Sequence, residues 1–211
     1  MLATIGGLPK LPAGAPGTIS VVAQGRYGSY SPGTILPVVV RNNSKRSVTR
    51  IHIAGPALDP KGRVIVNGQD DGIQPSVVPP GGLAIGFVRF GGANLPAGTR
   101  FKLTVTDTPP EAVTGFSKEV DVPITTVRYA RGQVVGTATN TTRKRVSRPI
   151  VVLAACLSRS GELVTFAKGL GSRGATAGQA IPFTVDFTRR GAQAAPACAH
   201  VLVSMTGYSE L

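Results

Sequence analysis

Apolar and polar residues alternate along most of this chain, and the alternation has the period of a β-strand. The clearest run is TRFKLTVT at 99–106, where Phe101, Leu103 and Val105 share one face and Arg100, Lys102 and Thr104 the other. A period of two marks a strand packed on one side and wet on the other. Ile181, Phe183, Val185 and Phe187 likewise oppose Pro182, Thr184 and Asp186, and Val201, Val203 and Met205 align in the last such run. The pattern predicts strands over 19–24, 35–41, 49–54, 63–66, 83–90 and 99–106. It predicts a second set through Val120, Val122 and Ile124, then over 133–139, 149–156, 163–167, 180–187 and 199–205. Turn chemistry separates the first set: Ser31-Pro32-Gly33, Asn42-Asn43-Ser44, Asp59-Pro60-Lys61-Gly62, Asn67-Gly68, Pro79-Pro80-Gly81-Gly82 and Pro96-Ala97-Gly98. That part offers no helical apolar stripe, so the predicted class is all-β.

The two sets are one pattern written twice. VVVRNNSKRSVTRI from Val38 overlays GTATNTTRKRVSRPI from Gly136, with Asn42 on Asn140, Ser44 on Thr142, Val48 on Val146 and Arg50 on Arg148. Gly62 then meets Gly161, and LAIGFVRF ending at Phe90 meets QAIPFTVDF ending at Phe187. A chain of 211 residues is long for one small sandwich and comfortable for two. The expected organisation is an extended N-terminal arm at 1–17, a sandwich at 18–107, a Pro-containing linker at 108–115 and a repeat of the sandwich at 116–211. The arm is broken by Gly6, Gly7, Pro9, Pro12, Gly14, Pro16 and Gly17. Such density favours an extended path, either as a flexible leader or as a clip on a neighbouring copy. The stiff linker favours an extended rod.

In strand order and turns the repeats resemble the FxLYD family of bacterial and archaeal Ig-like domains. The first turn of that pattern is matched by Asn42-Asn43-Ser44 and Asn140-Thr141-Thr142. The second is matched by Leu58-Asp59-Pro60-Lys61-Gly62 and Leu157-Ser158-Arg159-Ser160-Gly161, with Ser158 where the first repeat has Asp59. The segments Pro80-Gly81 to Phe87 and Ala177-Gly178 to Phe183 stand for the third element, and the signature Phe and Tyr are missing. The resemblance implies two tandem Ig-like β-sandwich domains, a cell-surface or secreted setting, and a binding or spacing role. It brings no catalytic residues and no cofactor.

Charge adds the candidate chemistry. A net charge of +13 raises affinity for polyanions, whether nucleic acid, anionic glycan or an acidic partner surface. The cations cluster at the repeated turns, Lys45, Arg46 and Arg50 in one and Arg143, Lys144, Arg145 and Arg148 in the other, and at Arg189-Arg190. Loops at the end of a sandwich are where such folds bind, so these seven turn residues are the candidate polyanion or partner site. Aromatic residues to stack on bases are absent nearby, which disfavours nucleic acid. Both turns have the form of N-glycosylation sites, but Asn with Ser or Thr also suits a turn on its own. Cys156 and Cys198, the two cysteines, are a candidate disulfide in an oxidising compartment and buried thiols in a reducing one. Strand parity puts Cys198 with His200 on the outer face.

Enzyme chemistry finds little support. His52 and His200 sit in strand patterns, and no G-x-S-x-G, phosphate loop or paired carboxylates occur. Asn67-Gly68-Gln69-Asp70-Asp71-Gly72 is faintly like a calcium loop, but Val78 stands where an acidic ligand is needed. No metal or cofactor is expected. No run approaches the roughly 20 apolar residues of a membrane span. The N-terminus lacks the basic flank and apolar core of a signal peptide. The expected function is a non-enzymatic structural, adhesive or assembly module, extracellular or at the cell surface, binding another protein or copies of itself. The alternatives are a virion or appendage subunit clipped by its arm, and a polyanion-binding module.

Overall fold

The computed structural model describes residues 2–29, 33–92, 94–108, 118–171, 174–188 and 196–209. Among these residues every long element is a strand and none is a helix, as the all-β pattern requires. The expected linker beyond Thr108, the Arg189-Arg190 pair and residues 31 and 32 of the first turn lie outside the described residues.

The arm contributes β1 (Ala3–Ile5). The first half follows with β2 (Ile19–Gln24), β3 (Gly28–Ser29), β4 (Thr34–Asn42), β5 (Val48–Leu58), β6 (Val64–Gln74), β7 (Val77–Val78), β8 (Leu83–Phe90), β9 (Arg100–Phe101) and β10 (Thr104–Thr108). The second half holds β11 (Lys118–Asp121), β12 (Ile124–Ala130), β13 (Gln133–Thr139), β14 (Val146–Leu157), β15 (Leu163–Leu170), β16 (Ala180–Asp186) and β17 (His200–Ser209). In the first half the strands run β2-β4-β8-β6-β5-β10 in one nine-stranded sheet, curled into a half-barrel. In the second half β12-β13-β16 and β15-β14-β17 form separate sheets. Matched by position in the repeat, the order is the same in both. The difference is one seam, hydrogen-bonded between β6 and β8 and unpaired between β15 and β16.

The seam closes because β6 changes partner. Its residues 64–69 pair with β5 and its residues 69–74 with β8, across a bulge between Asp70 and Ile73. Asn67-Gly68, expected as a turn, therefore lies mid-strand opposite Gly55-Pro56. Packing decides this: a Cβ on Gly68 would stand 2.5 Å from the ring of Phe90, so the glycine permits close approach and not a reversal. The expected continuous strand at 99–106 is interrupted at Lys102-Leu103 within one register, Phe101 facing Ala57 and Thr104 facing Ala54. Pro56 on the facing strand has no N–H to give there. The run predicted through 120–124 also divides, because the chain crosses at Val122-Pro123 from β11, beside β17, to β12, beside β13.

Each half has an interior of its own. Leu36, Val38, Val40, Ile53, Val88 and Phe90 fill the first, and Val134, Ile150, Val152, Phe183, Val185 and Val203 the second. A third apolar layer lies between the halves, with Val22, Ile35, Val39, Ile85 and Phe87 against Leu153, Leu157, Leu163, Phe166 and Leu202. Phe87 meets Phe166 edge to face at 5.5 Å between ring centres. β4, β8 and β14 are thus covered on both faces, which is why their sequences read as unbroken apolar runs. The expected rod is corrected by this layer: placed end to end, the halves would leave it in water.

The arm is bound within its own chain. Ala3–Ile5 pairs with Val201, Leu202 and Val203 on the edge of β17 that β11 also occupies. Leu2 and Leu11 pack on the layer between the halves, and the Gly7 carbonyl is 3.2 Å from His200 Nδ1. Polar bonds also cross the junction. Gln74 Nε2 donates to Thr206 Oγ1 at 2.8 Å and the Ser76 N–H to Asp121 Oδ1 at 2.7 Å.

Candidate binding site

The repeated turns are built on one buried asparagine each. Asn42 and Asn140 are 0% and 1% exposed. Asn42 Nδ2 donates to the carbonyls of Arg46 (2.8 Å) and Val78 (2.9 Å), while its Oδ1 accepts the Ser44 N–H (2.9 Å). The Ser44 hydroxyl sits between Asn42 Oδ1 (2.6 Å) and the Arg46 carbonyl (3.0 Å). Asn140 repeats every contact with Lys144, Ala175 and Thr142. Gly81 and Gly178, at φ of +73° and +75°, each donate an N–H at 2.7 Å to the asparagine carbonyl, in a conformation open to glycine at little cost. The amide that a glycan would need is therefore fully engaged inside the turn. Serine or threonine two residues on completes the network, which explains the sequon form.

Around this anchor the cations point outward. Lys45, Arg46, Arg50, Arg143, Lys144, Arg145 and Arg148 are all exposed. Arg46 Nη2 is 2.7 Å from Asp107 Oδ2, a surface ion pair worth at most about 1 kcal/mol. Arg50 and Arg148 do not belong to the turn tips. Between Thr49 opposite Thr108 and His52 opposite Thr106, Arg50 and Ile51 face Asp107 alone. Between Ser147 opposite Tyr208 and Val151 opposite Thr206, residues 148–150 face Gly207 alone. The equivalent arginines are thus both on β-bulges, features that re-aim a side chain. The register of an insertion this small has no signature in apolar periodicity.

The second repeated turn shows the same economy of parts. Asp59 Oδ1 accepts the Arg63 N–H at 2.9 Å, and Ser158 Oγ accepts the Glu162 N–H at 3.1 Å. Serine can replace aspartate because each supplies one acceptor at that point. The Arg63 backbone N–H, followed by its guanidinium, holds the Asp59 carboxyl below its ordinary range. Tyr27 and Tyr129 both donate their hydroxyls to a proline carbonyl, Pro96 and Pro196. These tyrosines do not keep the constant spacing of the aligned blocks, so the repeat carries no mark of the pair in sequence.

Cys156 and Cys198 form a disulfide with Cα atoms 5.2 Å apart. Its placement corrects the outer-face expectation, because Cys156 is fully buried in the second interior and Cys198 packs against the same cluster. Parity failed because Cys198 precedes β17, which begins at His200, so strand alternation does not extend to it. The calcium-like segment is strand β6. Asp70 there accepts the Ile53 N–H at 2.8 Å, and Asp71 bonds Arg89. Among the described residues no His, Cys, Asp and Glu group is arranged to hold a metal, and no helix is long and apolar enough to cross a membrane. No protein-family model matches the chain, and no curated protein matches it.

Proposed function

We propose that the chain is a non-enzymatic binding module, made of two Ig-like, FxLYD-like units, that holds an acidic partner on its repeated basic turns outside the cytoplasm. The observation that carries this reading is the duplicated anchor. A buried asparagine with its hydrogen-bonding capacity filled fixes a short turn whose tip bears Lys45 and Arg46, and again Arg143, Lys144 and Arg145. Loops held this firmly on a sheet scaffold lose little entropy when they bind. The net charge of +13 draws an anionic surface toward them. The disulfide supports an oxidising location. The non-enzymatic part rests on where the reactive groups are: both cysteines are bonded, His200 lies against the Gly7 carbonyl, and His52 is paired with Asp70.

Immobilised heparin serves as a generic acidic polymer for the test. The expected result is retention at about 0.15 M salt with elution on raising it, since each released counterion steepens the salt dependence. Replacing Lys45, Arg46, Arg143 and Lys144 with alanine is expected to abolish retention with an unchanged thermal midpoint. Flow-through of the parent chain at that salt, or retention that survives the four substitutions, contradicts the proposal.

A further inference from the structure

We propose that the cleft between the halves, beneath the bulge at Arg50, binds a small zwitterion of the α-amino-acid type. The cleft has a volume of about 410 Å³, in the range of small-molecule sites. Arg50, His52, Asp70 and Ser76 line it from the first half, and Glu119 and Tyr208 from the second.

Arg50 has φ of +46°, a left-handed conformation that costs a side-chain-bearing residue about 1 kcal/mol and belongs more naturally to glycine. Among the described residues the other non-glycine residue of this kind, Arg131 at +51°, is accounted for by the two-residue hairpin turn Arg131-Gly132. Arg50 is instead the first residue of the bulge opposite Asp107, a position that the left-handed region also serves. Among the described residues its guanidinium has no hydrogen-bond or ion-pair partner, so the bulge presents an unmatched cation to the lining of the cleft. A guanidinium in that position takes a carboxylate through two parallel hydrogen bonds.

The acids of the cleft divide into one engaged and one available. Asp70 Oδ1 accepts the Ile53 N–H and lies 2.5 Å from His52 Nδ1, so it fixes the imidazole and leaves Nε2 as the ring nitrogen for a ligand. Glu119 lines the cleft and, among the described residues, forms no ion pair. Crowding by surrounding atoms raises its pKa, a Thr206 hydrogen bond opposes the rise, and the neighbouring Asp121 adds to it. An ammonium group brought there meets a carboxylate that burial and Asp121 both disfavour in its charged form. A ligand with both ends bridges Arg50 and Glu119, and so bridges the halves, with the half-exposed ring of Tyr208 beside its side chain.

Calorimetric titration of the full chain with L-phenylalanine, 3-phenylpropanoate and 2-phenylethylamine tests this. L-Phenylalanine is expected to bind, and each one-ended analogue to bind at least about tenfold more weakly. Arg50→Gly, which suits the backbone, is expected to keep or raise the thermal midpoint while weakening L-phenylalanine at least about tenfold. Arg50→Gln, which keeps the length and drops the charge, gives the same loss where glycine alters the bulge. Glu119→Gln is expected to bring L-phenylalanine down to the level of 3-phenylpropanoate. Absence of binding up to about 10 mM, equal binding of an analogue, or unchanged affinity in the Arg50 variants overturns the proposal. The tip residues Lys45, Arg46, Arg143 and Lys144 are not among the cleft lining, so failure here leaves the heparin result standing, and the reverse.

Discussion

At the scale of residues, Asn42 and Asn140 illustrate how a polar side chain becomes a core element. Each satisfies two backbone carbonyls and one backbone N–H, of which the carbonyl of Val78 or Ala175 is reached by a buried bond. Leaving such groups unmatched costs about 1–3 kcal/mol apiece, partly relieved by water entering the turn. Asn42→Ala or Asn140→Ala is therefore expected to lower unfolding free energy by about 2–4 kcal/mol in urea titrations, against less than about 0.5 kcal/mol for Lys45→Ala at the tip. A second residue-scale expectation concerns Glu119. Its raised pKa means that ionisation disfavours the folded chain, so stability falls as pH rises from the ordinary glutamate range through the raised value and is level beyond it. Glu119→Gln is expected to match the parent at about pH 4 and to melt higher at neutral pH, measured by scanning calorimetry across that window.

Among elements, the disulfide and the seam set the differences between halves. The bond joins residues separated by 42 positions, a loop whose closure entropy corresponds to about 4 kcal/mol. Cys156→Ala with Cys198→Ala is expected to reduce stability by up to that amount, with hydrogen exchange rising first in β14, β15 and β17. The strand through Ile181-Pro182-Phe183-Thr184-Val185 was legible because one of its faces is wet and the other buried. The duplication was legible because the asparagine turn needs the same residues twice. Three features were not. Gly68 carries a turn signal that ring packing against Phe90 overrides. The Arg50 bulge shifts register without disturbing composition. The partners of the junction, such as Gln74 with Thr206, are 132 positions apart and lack any local mark.

For the molecule as a whole, the decisive element is the apolar layer shared by β4, β8, β14, β15 and β17. The side-by-side packing follows from strands with two apolar faces, a pattern visible in Val38-Val39-Val40 and in Leu153-Ala154-Ala155. Phe87→Ala removes a ring from this layer and is expected to cost about 3–5 kcal/mol, with both halves losing protection together rather than the first alone. Rigid juxtaposition also fixes the cleft that carries Arg50 on one wall and Glu119 on the other. Small-angle X-ray scattering tests the packing most directly. Halves joined through the layer give a radius of gyration of about 17 Å for 211 residues. Two units of about 13 Å each set end to end, with centres about 40 Å apart, would give about 24 Å and contradict the account.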